Sequence, residues 1–358
     1  MSLAVPFEVK GWCPGVLRPM PSGDGLIARV RPWCGAFSLA QADGLAEIAE
    51  RLGNGHIDLT RRGNLQIRGL SEQGLDEFHD ALHLLGLLDA SPQGEAARNV
   101  MVGPLADAAV RSMAARLSEA LAQDRRAASL PAKFGWLVDG GGPLSIIAER
   151  ADIALYLTEA RLMLRIDGQW LGNGSLETAL DAAFDGRPAL PRVDIAPASG
   201  RRRLGHLGGM TGIAAPFGRL EAAQLRALVR RSAEAGASEL RLSPWRALYV
   251  DAIVEIPAEA LGLIVDENDP LLRVDACPGR PACRSATVDT RTTARWLAAT
   301  GLAGSVHVSG CAKGCARSAP ADLTLVGEGG RYGVVRNGTT RDASERTIAA
   351  DELAALNG

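Results

Sequence analysis

Four cysteines near the C-terminal end have the types and spacing of a metal-cluster ligand set. Cys277 and Cys283 lie in Ala276-Cys-Pro-Gly-Arg-Pro-Ala-Cys-Arg284, and Cys311 and Cys315 in Ser309-Gly-Cys-Ala-Lys-Gly-Cys-Ala316. The pairs enclose five and three residues, and 27 residues separate Cys283 from Cys311, so a fold must bring them together. Four thiolates suit a cubane iron–sulfur cluster or zinc, because both take soft, deprotonated sulfur. Structural zinc usually comes with C-x2-C knuckles; neither pair has that form, and the spacing favours iron–sulfur. Four buried thiols, each behaving as a small hydrophobe, are the alternative.

The elements that must position these cysteines are legible around them. Asp289 is placed to cap a helix running to about Thr300, Ser305–Val308 alternates as a strand, and Ser309-Gly-Cys311 turns off its end. A helix starting at that turn would put Cys311 and Cys315 on one face of its first turn, where the unpaired N–H groups and the dipole favour an anionic cluster. His307 reads as a hydrogen-bonded core residue, with a supporting role beside the cluster as the alternative.

Further upstream, a strand at about Leu26–Val30 precedes a capping-box signature, Ser38 with Gln41, and an apolar stripe ended by Gly53-Asn-Gly55. Ile57–Leu59 and Leu65–Ile67 then form a hairpin or sharp turn around Thr60-Arg-Arg-Gly-Asn64. The same order recurs: a strand ending at Ile213-Ala214, a helix from Leu220 to near Gly236, then Leu240–Leu242 and Leu248–Val250. In both copies the second strand begins eight residues after the first, and the helix-to-strand distance is 26 residues from Leu39 against 28 from Leu220. An internal duplication follows. Between the copies lie a helix around Asp107–Gln123, strands within 134–166 interrupted by Gly140-Gly-Gly-Pro143, and a Pro/Arg-rich linker over 187–203.

With 358 residues, several core-forming units are expected. Hydrophobic residues at 47% and charged residues at 22% are ordinary for a soluble chain, and no apolar run reaches membrane-spanning length. The first ten residues lack the pattern of an export signal, and six cysteines are too few for a disulfide framework, so a cytoplasmic location is expected. A net charge of −2 and 4% aromatics give no reason to expect nucleic acid. Only Lys10, Lys133 and Lys313 are lysine; every other basic residue is arginine, the better bidentate partner for carboxylates. Cys13 and Cys34, in or near the turn-rich arm 11–25, read as structural or free thiols, with contact to a metal or substrate as the alternative.

Four stretches resemble the sulfite and nitrite reductase superfamily. The cysteine pairs match its C-x5-C and C-x3-C motifs, followed by Ala321-Asp-Leu-Thr-Leu-Val-Gly327. Thr60-Arg-Arg-Gly-Asn-Leu-Gln66 is similar to the T-T-R-Q-N-W-Q element, Arg98-Asn-Val100 to R-N-V, and Leu130-Pro-Ala-Lys-Phe134 to L-P-x-K-F. The resemblance implies an α+β fold of duplicated ferredoxin-like half-domains with a sulfite-reductase-like iron–sulfur domain in pseudo-two-fold arrangement. Its segments would be 1–90, 91–195, 200–265 and 266–358. It places Cys277, Cys283, Cys311 and Cys315 on a [4Fe–4S] cluster, and Arg62, Arg98 and Lys133 along a cleft for an acidic tetrapyrrole.

Departures select a branch. Sulfite reductases carry a second lysine where this chain has Gly135, and often Pro-Asn where it has Ala312-Lys-Gly314. Those features, and the Trp12–Met20 arm, resemble the branch that works in aerobic cobalamin biosynthesis. That branch hydroxylates precorrin-3A with dioxygen at the meso carbon between rings A and D and closes a γ-lactone, using the cluster and a mononuclear non-heme iron. A siroheme-dependent nitrite or sulfite reductase is the alternative, and a non-catalytic iron–sulfur carrier a third. No nicotinamide-binding glycine signature is present, so an electron-donor protein is expected. His56, His79, His83, His206 and His307 offer no 2-His-1-carboxylate spacing, and His79 and His83 fit an amphipathic helix.

Overall fold

The computed structural model describes residues 12–131, 133–159, 161–186 and 188–357. The first ten residues, on which the export-signal expectation rests, lie outside them. The chain divides into two compact units. One contains Pro21–Gly25 and the segment from Asp266 onward, and the other contains 12–20 and Leu26–Val265.

The larger unit carries the two ferredoxin-like copies. The first places strands Gly25–Val30, Leu65–Leu70 and His56–Leu59 side by side, and the second places Met210–Ala214, Ala247–Val250 and Glu239–Leu242 in the same order. Each sheet is extended by a short strand from the other copy: Ala36–Ser38 pairs with Glu239–Leu242, and Arg219–Glu221 pairs with His56–Leu59, both antiparallel. Each exchanged strand runs directly into the helix that follows it, Leu39–Arg51 or Ala222–Glu234. The caps correspond as well. Ser38 forms a capping box with Gln41, and Glu221 forms one with Gln224. Leu39 N donates to Ser238 O at 3.1 Å and Ala222 N to Gly55 O at 2.8 Å, so each helix start is stitched to the opposite copy.

One core follows from this exchange. Leu45, Ile48, Ile57 and Ile67 of the first copy and Leu225, Leu228, Leu240 and Leu248 of the second bury into a single cluster. Each fully buried leucine or isoleucine contributes about 1.5–3 kcal/mol, and the two sets bury against one another.

The duplication extends to the remaining sheets. In the larger unit Val100–Val102, Trp136–Asp139 and Ile153–Leu157 are parallel, and Leu162–Ile166 and Gln169–Leu171 continue antiparallel. In the smaller unit Val274–Ala276, Val306–Ser309 and Ala321–Glu328 are parallel, and Arg331–Gly338 and Arg346–Ile348 continue antiparallel. Helix Ala108–Gln123, capped by Asp107, links the first two strands of one sheet, and helix Thr290–Ala299, capped by Asp289, links those of the other. Gly103 N donates to Val138 O and Cys277 N to Val308 O, at 3.1 and 3.3 Å. Gly103 and Cys277 are therefore equivalent positions, as are Asp139 and Ser309. Among the described residues no helix is long and apolar enough to cross a membrane.

Candidate functional site

The cysteine loops grow from the C-terminal ends of two neighbouring parallel strands. Cys277 follows Val274–Ala276, and its carbonyl accepts from Thr290 Oγ1 at 2.6 Å. Gly310 follows Val306–Ser309, donates its N–H to Cys277 Sγ at 3.2 Å, and accepts from Thr287 N at 3.0 Å. A side chain at 310 would meet Ala286 Cβ at 2.5 Å, so the close approach of the loops requires glycine there. Each loop thus fixes the other.

No helix begins at Cys311. Residues 310–317 form turns, with Gly314 at φ +65° and Thr340 Oγ1 donating to Ala312 O at 2.9 Å. A left-handed residue between the two cysteines is incompatible with a continuing right-handed helix, which corrects the helix expected at this turn. Anion-favouring N–H contacts come instead from Gly310, to Cys277, and from the Lys313 backbone, to Cys311.

Burial pushes the Cys311 thiol up, and Cys283 and Cys277 act in the same direction, against the backbone and charge of Lys313. Cys315 is pushed up to about 11, by burial first, with Lys313 opposing and the other three cysteines adding to it. Its residue surface is nonetheless exposed. Cys311 and Cys315 thus lie within electrostatic reach of each other and of both Cys277 and Cys283. Among the described residues no three His, Cys, Asp or Glu side chains converge tightly around a single ion. A multi-iron core spans more space than one ion with sulfurs about 2.3 Å away.

The loops 277–288 and 310–321 contain Arg280, Arg284, Lys313 and Arg317 and no carboxylate. Arg317 pairs with Asp275 at 3.2 Å, while Arg280, Arg284 and Lys313 have no ion-pair partner among the described residues. Soft donors surrounded by cations and backbone N–H suit an anionic thiolate cluster. His307 is wholly buried, in register with Asp275 and Thr324 on the neighbouring strands, as a core residue.

In the larger unit the motif segments converge. Thr60 Oγ1 accepts from Arg62 N and Asn64 N at 3.3 and 3.1 Å, which shapes the loop 60–64. Asn64 Nδ2 donates to Asn99 Oδ1 at 3.5 Å, Asn99 Nδ2 to Phe134 O at 3.3 Å, and Trp136 N to Asn99 O at 3.0 Å. Arg62 is half-buried and donates from Nη1 to Arg150 O at 3.0 Å. It has no carboxylate partner among the described residues. Lys133 is exposed in the turn closed by Phe134 N and Pro131 O.

Arg98 is placed differently from the cleft position expected of it. It is 1% exposed and holds Asp89 through Nε and Nη2 at 2.8 and 2.7 Å. It also donates to Pro32 O and Arg31 O, and it stacks on Trp33 with Cζ 3.8 Å from the ring centre. Its guanidinium is committed to the interior and supports the chain around Arg31.

Sequence reasoning passed over Arg29, Arg31 and Glu95. Arg29, in register with Gln66, and Arg31 are two residues apart at the end of the first strand, alternating with buried Ala28 and Val30. That Arg-x-Arg alternation was the available signal. Burial pulls both arginines down from their ordinary range, opposed chiefly by Cys13 for Arg29 and by Glu95 for Arg31. Glu95 accepts from Val16 N at 2.6 Å, Leu17 N at 3.0 Å and Arg31 Nη1 at 2.6 Å, anchoring the turn-rich arm. Trp12, Cys13, Arg18, Arg31 and Glu95 line a pocket of about 200 Å3. Cys34 has φ +54°, and burial raises its thiol.

The chain is 32% identical to precorrin-3B synthase from Sinorhizobium sp, over 92% of this chain and 83% of that protein. The chain belongs to the precorrin-3B synthase family. Within the wider superfamily, residues 18–85 match the nitrite/sulfite reductase ferredoxin-like half domain. Ferredoxin–nitrite reductase from Synechococcus elongatus is 36% identical over only 38% of this chain and 29% of its own length. The Mycobacterium tuberculosis NirA protein shares the fold, with a TM-score of 0.69 at 19% identity, covering 92% of this chain and 79% of that one. In this member of the synthase family the duplicated fold expected from the sequence is present throughout.

Proposed function

We propose that this chain is the oxidoreductase that converts precorrin-3A to precorrin-3B in aerobic cobalamin biosynthesis. The carrying observation is the 32% identity to a precorrin-3B synthase across 92% of the chain. The reaction inserts one atom of dioxygen at the meso carbon between rings A and D and closes a γ-lactone with the ring A acetate. The second oxygen atom leaves as water, with two electrons from a donor protein.

Cys277, Cys283, Cys311 and Cys315 would hold a [4Fe–4S] cluster. When bound, that cluster supplies single electrons, and a mononuclear non-heme iron offers dioxygen an open coordination position. The chain's own part is recognition. Arg62 and Lys133 would take substrate carboxylates, Arg62 through its unused N–H groups. Arg98 would act from beneath, through its bonds to the carbonyls of Arg31 and Pro32.

The test is the absorbance spectrum, iron content and extracted chromophore of anaerobically purified protein, followed by an oxygen-dependent precorrin-3A assay. Iron in excess of one cubane, no tetrapyrrole band and turnover of precorrin-3A are the expected results. A stoichiometric siroheme band without turnover would move the assignment to a nitrite or sulfite reductase.

A further inference from the structure

Gly135 has no backbone reason to be glycine. It is absent from the residues with positive φ, so it is not held in the left-handed region that favours glycine. It is buried just before strand Trp136–Asp139 and pinned on both sides, its N–H donating to Asp152 Oδ2 at 2.8 Å and its carbonyl accepting from Asp152 N at 2.9 Å. The next residue is tied to Asn99 by the Trp136 N–H. A methyl group at 135 would overlap Arg62 Nη1 and stand 3.5 Å from Asn99 Nδ2. The backbone is held by these bonds, so it is the flexible end of Arg62 that has to shift.

What the guanidinium would lose is its anchor among the described residues, the Arg150 carbonyl 3.0 Å away. The segment before that carbonyl is itself held, because Arg165 donates to Ile147 O and Glu149 O at 2.5 and 2.8 Å. Arg62 therefore lies between a fixed acceptor and a bare Cα. Of its five N–H donors, the rest remain for a ligand.

We propose that Gly135 is a positioning residue for substrate recognition. Its missing side chain leaves the space in which the Arg62 guanidinium lies, and so sets the direction in which that cation meets a tetrapyrrole carboxylate. The inference rests on the substrate class proposed above.

The test titrates uroporphyrin, a stable octacarboxylate tetrapyrrole, into the cluster-loaded protein and follows fluorescence quenching. Gly135→Ala should leave the visible absorbance and thermal midpoint in place and weaken binding about tenfold or more, the loss of one charge-assisted hydrogen bond. In an Arg62→Ala background the same change should cost nothing further, because the residue it acts through is gone. Independent, additive losses would overturn the proposal, as would unaltered affinity of Gly135→Ala when Arg62→Ala weakens binding. If Gly135→Ala fails to fold, recovery of folding in the double variant supports the steric relationship, and failure to recover overturns it. A crystal structure of ligand-free Gly135→Ala is independent of tetrapyrrole binding: a displaced Arg62 supports the inference and an unmoved one defeats it. Wild-type protein that binds no uroporphyrin would count against the substrate class alone, leaving the crystal structure to decide the role of Gly135.

Discussion

Asp89 and Arg98 face each other through two hydrogen bonds, 2.8 and 2.7 Å long, with neither side chain more than 4% exposed. Removing one partner strands the other charge in the interior. Arg98→Ala should therefore destabilise the protein by roughly 3–5 kcal/mol, read as a lower denaturant midpoint. A change below about 0.5 kcal/mol, ordinary for a surface site, would show that the pair is dispensable.

Arg62 predicts the opposite profile. It is half-buried, and among the described residues its guanidinium is bonded to a single carbonyl. Arg62→Ala should alter stability by about 1 kcal/mol or less and weaken tetrapyrrole binding by roughly 1.5–3 kcal/mol, with the cluster absorbance retained. Calorimetric titration alongside thermal unfolding separates the two effects, and undiminished affinity would remove Arg62 from the binding surface.

Cys315→Ser should abolish the cluster absorbance and precorrin-3A turnover together, since an alcohol is a poor substitute for a soft thiolate. Iron and sulfide analysis of anaerobically purified variant protein is the check. Four irons retained per chain would mean that the ligand set lies elsewhere.

Asp139 gives a pH-dependent signature. Its carboxylate accepts from Gly141 N at 2.7 Å, Ser145 Oγ at 3.0 Å and Ile146 N at 2.5 Å. Burial pushes its carboxyl above the usual range, and those bonds hold it down only in part. A carboxyl that binds its proton more tightly when folded adds stability below its unfolded pKa, about 3.9. That contribution falls as pH rises from there through the raised folded value. The stability advantage of wild type over Asp139→Asn should accordingly be greater at pH 4 than at pH 7 in denaturant titrations. An advantage that grows towards neutrality would reverse the assignment.

The helices, the hairpin around Thr60–Asn64 and the duplication could be read from capping residues and apolar spacing, because each is a local pattern. The exchange of Ala36–Ser38 and Arg219–Glu221 could not. Three-residue strands carry too little alternation to register, and their partners lie more than 160 residues away in sequence. The turn at Cys311 was hidden because Gly314 does not announce the sign of its φ. Arg98 and Arg62 belong to similar charged motifs, and only tertiary contact with Asp89 separates an interior ion pair from an available cation. The cysteine pairs were readable as a ligand set because cluster chemistry constrains residue type more than local conformation does.

Reciprocal strand exchange is the geometry of a domain-swapped homodimer whose two chains have been joined end to end. Neither ferredoxin-like copy carries within its own stretch of sequence the strand that completes its sheet or the carbonyl that receives its helix start. Both must be present before either can close, so the pairing that stabilises them is among the most distant in the chain and, by its loop-closure cost, slow to form. Cutting the chain between the copies would return it to two mutually dependent polypeptides, able to fold by reassociating and unable to fold apart.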